Sequence, residues 1–208
     1  MAANYPHFVL VKIDEYIEPI DRGDRYEDPL IEELSKRDLG DVTGGGSQLD
    51  GDNRIEYVCL DVELANLDEA LSLTRDMLNK LGAPIGSEIS YERNGEDVVE
   101  PLGLLEGLTI YLDGINLPPA VYEDLDFAAE YEKIDAALKA VGAGELRGVR
   151  QGNEETGIFA YGDSADKMAA IVEPLVLQIP VLQNARLAFK RRDSSKEPKE
   201  TRLPILKA

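Results

Sequence analysis

One feature constrains this chain of 208 residues more than any other: its pattern is written twice. Repetition of this kind decides architecture before any local reading does. The apolar, β-prone run Phe8-Val9-Leu10-Val11-Lys12-Ile13-Asp14 reappears as Leu108-Thr109-Ile110-Tyr111-Leu112-Asp113. A Pro-bearing stretch follows each run and reaches the same tripeptide, Tyr26-Glu27-Asp28 in one copy and Tyr122-Glu123-Asp124 in the other. Apolar residues then recur at helical spacing: Leu30, Ile31 and Leu34, against Ile134, Ala137, Leu138 and Val141. Asp28 before Pro29 reads as an N-cap followed by proline at the first helical position. Both helices stop at glycine. Gly40-Asp41-Val42-Thr43-Gly44 then maps onto Gly144-Glu145-Leu146-Arg147-Gly148 at a constant offset of 104.

The correspondence continues to the end of each copy. A second strand runs into a polar turn, Asp50-Gly51-Asp52-Asn53 or Gln151-Gly152-Asn153-Glu154, of the sort that joins antiparallel strands. The third strand alternates over 54–64, with Val58, Leu60, Val62 and Leu64 on its apolar face, and is shorter over 156–161. A second helix follows, with a stripe from Leu67 to Leu81 in the first copy. In the second copy it runs from the N-cap candidate Ser164 to Val176, where Pro174 should kink or shorten it. Ser87–Glu92 and Ala185–Lys190 close the two copies as strands.

The order β-α-β-β-α-β, found twice, resembles the ferredoxin-like superfold. The resemblance implies an α+β protein of two tandem units. Each would have an antiparallel sheet ordered 4-1-3-2 with both helices on one face. The other face is then free to be buried against its counterpart, unless the two sheets join edge to edge; burial hides more apolar surface. The expected division is a first unit over 1–92, a linker over 93–106, a second unit over 107–191 and a mobile tail over 192–208. Leu203-Pro204-Ile205-Leu206 in that tail is suited to docking on the body or on a partner. A superfold hosts many unrelated activities, so it implies none.

Function is approached through charge. There are 41 acids and 22 bases, a formal net charge of -19. From Arg191 onward lie six bases and three acids, so residues 1–190 hold a net -22. Such a body repels phosphate backbones and anionic membranes and steers basic proteins inward. The plain alternative is that acidity only maintains solubility. Cys59 is the only cysteine, so no intrachain disulfide forms; it reads as a buried small hydrophobe. No basic leader precedes the short apolar run at Phe8, and no apolar stretch approaches about 18 residues. A cytoplasmic setting is expected, with no nucleic-acid or membrane partner.

The stretch between Asp14 and Asp28 is the most distinctive candidate site. Asp14, Glu15, Tyr16, Glu18, Arg22, Arg25, Tyr26 and Glu27 combine anchoring Tyr and Arg side chains with steering carboxylates. Asp113 and Tyr122 join them as repeat counterparts. The competing reading is a solvated crossover whose Arg22 and Arg25 pair with local acids. Gly44-Gly45-Gly46-Ser47 lacks the Lys and the strand-to-helix context of a phosphate loop, and reads as an edge strand with a bulge or a close approach. The Asp50–Asn53 turn lacks the spacing of a calcium loop. His7 is the lone histidine, and Cys59 has no basic activator beside it. No catalytic residue, metal or cofactor is assigned. The expectation is a non-enzymatic acidic binding protein, in its sharpest form an immunity-type inhibitor of a basic toxin. Two alternatives stay open: a small-ligand regulatory module, and a carboxylate enzyme using Asp14, Glu15 or Asp113.

Overall fold

A computed structural model describes residues 5–52 and 54–206. The chain divides into two compact units, one ending at Leu104 and one beginning at Leu105. In the first unit, β1 (His7–Ile13) alternates so that Val9, Val11 and Ile13 are buried while Phe8, Leu10 and Lys12 point to the other face. A helical crossover, with α1 (Pro19–Arg22) and α2 (Asp28–Lys36), leads to β2 (Gly40–Leu49) and β3 (Ile55–Leu64). Then come α3 (Glu69–Lys80), β4 (Ser87–Arg93) and β5 (Glu96–Leu102). The sheet order is β2-β3-β1-β4-β5, antiparallel throughout. Without β5 this is the ferredoxin-like order. Leu30, Leu34, Leu71 and Leu78 from the helices close over Val9, Val11, Val58, Leu60 and Val62 as one core. Each such side chain contributes about 2 kcal/mol by leaving water.

The second unit repeats the plan. It runs through β6 (Glu106–Asp113), α4 (Pro119–Glu123), α5 (Phe127–Ala140), β7 (Glu145–Arg150), β8 (Glu155–Gly162), α6 (Ala165–Val172) and β9 (Arg186–Lys190), and ends in β10 (Glu200–Arg202). Its sheet order is β10-β9-β6-β8-β7. The two copies agree down to a defect. The β2–β3 register slips between Val42 and Gly44, and the β7–β8 register slips between Leu146 and Gly148. Thr43 and Arg147 are thus equivalent bulge residues, 104 apart in sequence. The glycine restart has a steric cause. A Cβ on Gly40 would stand 2.5 Å from Glu63 O, and one on Gly144 would stand 2.5 Å from Tyr161 O.

Several expectations need correction. The stretch 93–106 is not a bare linker. Arg93 ends β4, the two-residue turn Asn94-Gly95 takes positive φ (58° and 82°), and β5 folds back onto β4. Pro101 sits on this outermost strand, where a missing N–H is tolerated. The segment after 191 is held down. Arg191, 7% exposed, reaches Asp166 at 2.7 Å and Pro198 O at 2.5 Å, and β10 pairs with β9. Leu203 is buried in the second core. Asp28 is no cap: its backbone is helical (φ -59°, ψ -47°), and helix continues through it. Pro174 acts as anticipated, since α6 gives way to a 3-10 turn over Glu173–Leu177. Ser164 Oγ accepts the expected cap bond from Lys167 N at 3.3 Å. Asn53 of the first hairpin turn lies outside the described residues; Asp50 Oδ1 accepts from Asp52 N and Arg54 N beside it.

Candidate functional site

The stretch from Asp14 to Asp28 is built largely as helix rather than loop. Helix α1 passes into a π turn (Gly23–Glu27) and on into α2. Pro29 explains the π turn. It has no N–H to give to Arg25 O, and its ring would crowd that carbonyl in a regular helix. Widening the preceding turn, with Asp28 N bonding to Gly23 O, moves the carbonyl aside.

This geometry sorts the candidate residues. Tyr26 and Glu15 are buried (0% and 1% exposed), and the Tyr26 hydroxyl donates to Glu15 Oε2. Arg22 Nε donates to Glu27 Oε1 at 2.5 Å, and both side chains are mostly covered. That pair lies over the edge strand at Gly45, where an added Cβ would come within 3.1 Å of Glu27 Oε1 and 3.3 Å of Arg22 Nη2. The close approach anticipated for the glycine run is made first by backbone, since that Cβ would stand 2.6 Å from Cys59 O, and then by these two side chains. Tyr16 and Arg25 are half-buried, and Asp14 donates its backbone N–H to Ser87 Oγ at 3.0 Å. What remains outward is Glu18, Pro19, Ile20, Asp21, Asp24 and Asp28, with Ile20 79% exposed. Local Arg–acid pairing thus holds for Arg22, while the exposed ridge over 18–24 combines acids with one large apolar side chain.

In the second unit, Asp113 and Tyr122 are brought together as internal staples. The Asp113 carboxylate is 4% exposed and accepts from Ile115 N and Asn116 N at 2.9 Å each, from Asn116 Nδ2, and from Asn184 Nδ2 at 2.5 Å. Burial alone would raise its pKa, but these donors outweigh burial and hold it at about 2. Such a group has no proton to give near neutrality. The Tyr122 hydroxyl accepts from Leu117 N at 2.9 Å and donates to Asp113 O at 3.3 Å. The repeated Tyr-Glu-Asp tripeptide now has a physical meaning: in both copies its tyrosine hydroxyl ties back to the chain at the end of the first strand or just beyond it. Asn116 and Asn184 escaped sequence reasoning, because Asn184 lies 71 residues from Asp113 and nothing local marks it.

The charge is unevenly divided. The first unit carries 24 acids and 9 bases, a net -15, whereas the second carries 17 and 13, a net -4. Cys59 differs from its expected burial. It is partly exposed on the helix-free face opposite Lys12 and Gly46, and burial, with Asp61 adding, raises its thiol pKa. No group of three or more His, Cys, Asp or Glu among the described residues is arranged to hold a metal. No helix among them is long and apolar enough to cross a membrane.

These features define a duplicated ferredoxin-like α+β protein with one strongly acidic unit. No family model and no curated protein matches the sequence. Among solved structures, the chain is similar to a putative monooxygenase from Lactobacillus acidophilus NCFM, at 12% identity and TM-score 0.30, covering 97% of each chain. It is also similar to the regulatory subunit of aspartate kinase from Thermus thermophilus, at 14% identity and TM-score 0.25, covering 82% of this chain and 93% of that one. A structure described as an unknown protein from Galdieria sulphuraria matches at 12% identity and TM-score 0.26, covering 88% of this chain and 97% of that one. Likenesses this distant carry no argument about activity.

Proposed function

We propose that this chain is a non-enzymatic binding protein of the cytoplasm whose first unit engages a basic protein. In its sharpest form it is an immunity-type inhibitor of a basic toxin. The observation that carries this reading is the 18–24 ridge. Ile20 stands out from the surface framed by Glu18, Asp21 and Asp24, on a unit of net -15. An apolar anchor ringed by charge of one sign gives contact area at the centre and steering at the rim. The ridge is also preorganised, because Tyr26–Glu15 and Arg22–Glu27 fix the helical run beneath it. The test is affinity capture on the immobilised full chain at about 50 mM and about 500 mM salt. A basic protein should be retained only at the lower salt, and the double change Asp21→Lys with Asp24→Lys should weaken it at least about tenfold. Retention of only neutral or acidic proteins, or indifference to the reversal, would sink the reading.

A further inference from the structure

The helix-free face of the first sheet presents a second surface, separate from the 18–24 ridge. Strand pairing aligns Asp61, Leu10, Ser90 and Val99 in one row across β3, β1, β4 and β5. Phe8 lies beside this row opposite Glu63, and Glu92 pairs with Asp97 on the same side. Phe8 is 56% exposed and Val99 is 60% exposed, far above what large apolar side chains on a closed sheet face require. Together with Leu10, Ser90, Glu92 and Asp97 they line an open groove of about 590 Å³. The groove thus sets apolar Phe8, Leu10 and Val99 among the polar Ser90 and the carboxylates of Glu92 and Asp97. It reaches β5, the outermost strand. In a hairpin closed by a two-residue turn, hydrogen-bonded pairs alternate with open ones starting from Arg93 and Glu96, so the backbone polar groups of Asp97 and Val99 face away from β4.

We propose that this face docks an extended, basic segment of a partner protein. Alternate apolar side chains would seat on Phe8, Leu10 and Val99, and its lysines or arginines would meet Glu63, Glu92 and Asp97. Charge complementarity selects this occupant. A second copy of the chain would set the same carboxylates against one another on units of net -15. An outer strand carrying Glu96 and Asp97 repels its own kind and still accepts a strand of opposite sign. The inference shares with the proposed function only the sign of the partner's charge, and either stands without the other.

The test uses two synthetic peptides of about nine residues, one alternating lysine with valine and one alternating lysine with serine. They are titrated into the full chain at low salt while backbone amide shifts are followed by NMR. The valine peptide should bind at least about tenfold tighter than its equally charged counterpart. Its shifts should centre on Leu10, Ser90 and Val99. Val99→Lys should abolish the preference, with circular dichroism confirming an intact fold, and Asp21→Lys with Asp24→Lys should leave it in place. Equal affinity for the two peptides overturns the inference, as do shifts confined to the 18–24 ridge. So does self-association that is lost with Val99→Lys, which would give the groove to a second copy.

Discussion

Replacing Asp113 by asparagine keeps the shape of the side chain and removes its charge, which isolates what the carboxylate contributes. In the native fold the group receives two backbone and two side-chain donors while almost fully buried. Those donors hold its pKa at about 2 against 3.8 for the free side chain. The fold therefore favours the ionised form over a neutral one by about 2–3 kcal/mol. The amide introduced by Asp113→Asn would retain an acceptor for Ile115 N and Asn116 N but would set its nitrogen against the donor of Asn184. The loss expected near neutrality is about 2–3 kcal/mol, enough to matter in a marginally stable domain. The pH dependence carries a sign. A depressed pKa gives stability that is complete above the unfolded value of 3.8 and is lost as pH falls through about 2. Urea unfolding of wild type and Asp113→Asn, followed by circular dichroism at about pH 6 and at about pH 2.5, reads both quantities. The gap between the proteins should be largest at the higher pH and mostly closed at the lower. Equal stability at the higher pH, or a gap that widens on acidification, would refute this account of the staple.

Tyr26→Phe removes the donor to Glu15 inside the first core, and urea unfolding should show a loss of about 1–3 kcal/mol. Gly45→Ala would place a methyl 2.6 Å from Cys59 O, so it should destabilise the first unit by about 1–3 kcal/mol. Hydrogen exchange should show the loss in β2 and β3 and leave the second unit unchanged. Arg191→Met severs the link to Asp166 and Pro198 O, so residues 192–199 should become cleavable by trypsin at Lys196 and Lys199 while β9 stays protected.

The duplication was legible because it is carried by local signals: apolar runs, helical stripes and the glycines at 40 and 144. A Cβ added at either glycine would stand 2.5 Å from a backbone carbonyl oxygen. The bulge beside Gly44 was legible for the same reason. What was not legible depends on distant partners. β5 has only Val98 and Val99 to suggest a strand amid acids and Pro101, and becomes one because β4 offers it an edge. The final segment looks polar and loose until Arg191 finds Asp166 and Leu203 finds the second core. Asp28-Pro29 carries the chemistry of a helix start, yet Ile17 and Tyr26 are buried with Leu30, and that packing draws the helix back to Pro19. In the candidate site, residue types were informative and roles were not. Glu15, Tyr26, Asp113 and Tyr122 turn inward as staples, and Glu18, Asp21 and Asp24 are left exposed.

The most direct measurement of the functional claim is the association rate of a captured basic protein with the full chain as ionic strength rises from about 50 to about 500 mM. Steering by the first unit predicts a fall of at least about tenfold, with Asp21→Lys and Asp24→Lys slowing the low-salt rate. A rate indifferent to both salt and reversal would mean that the concentrated negative charge of this unit plays no part in recognition.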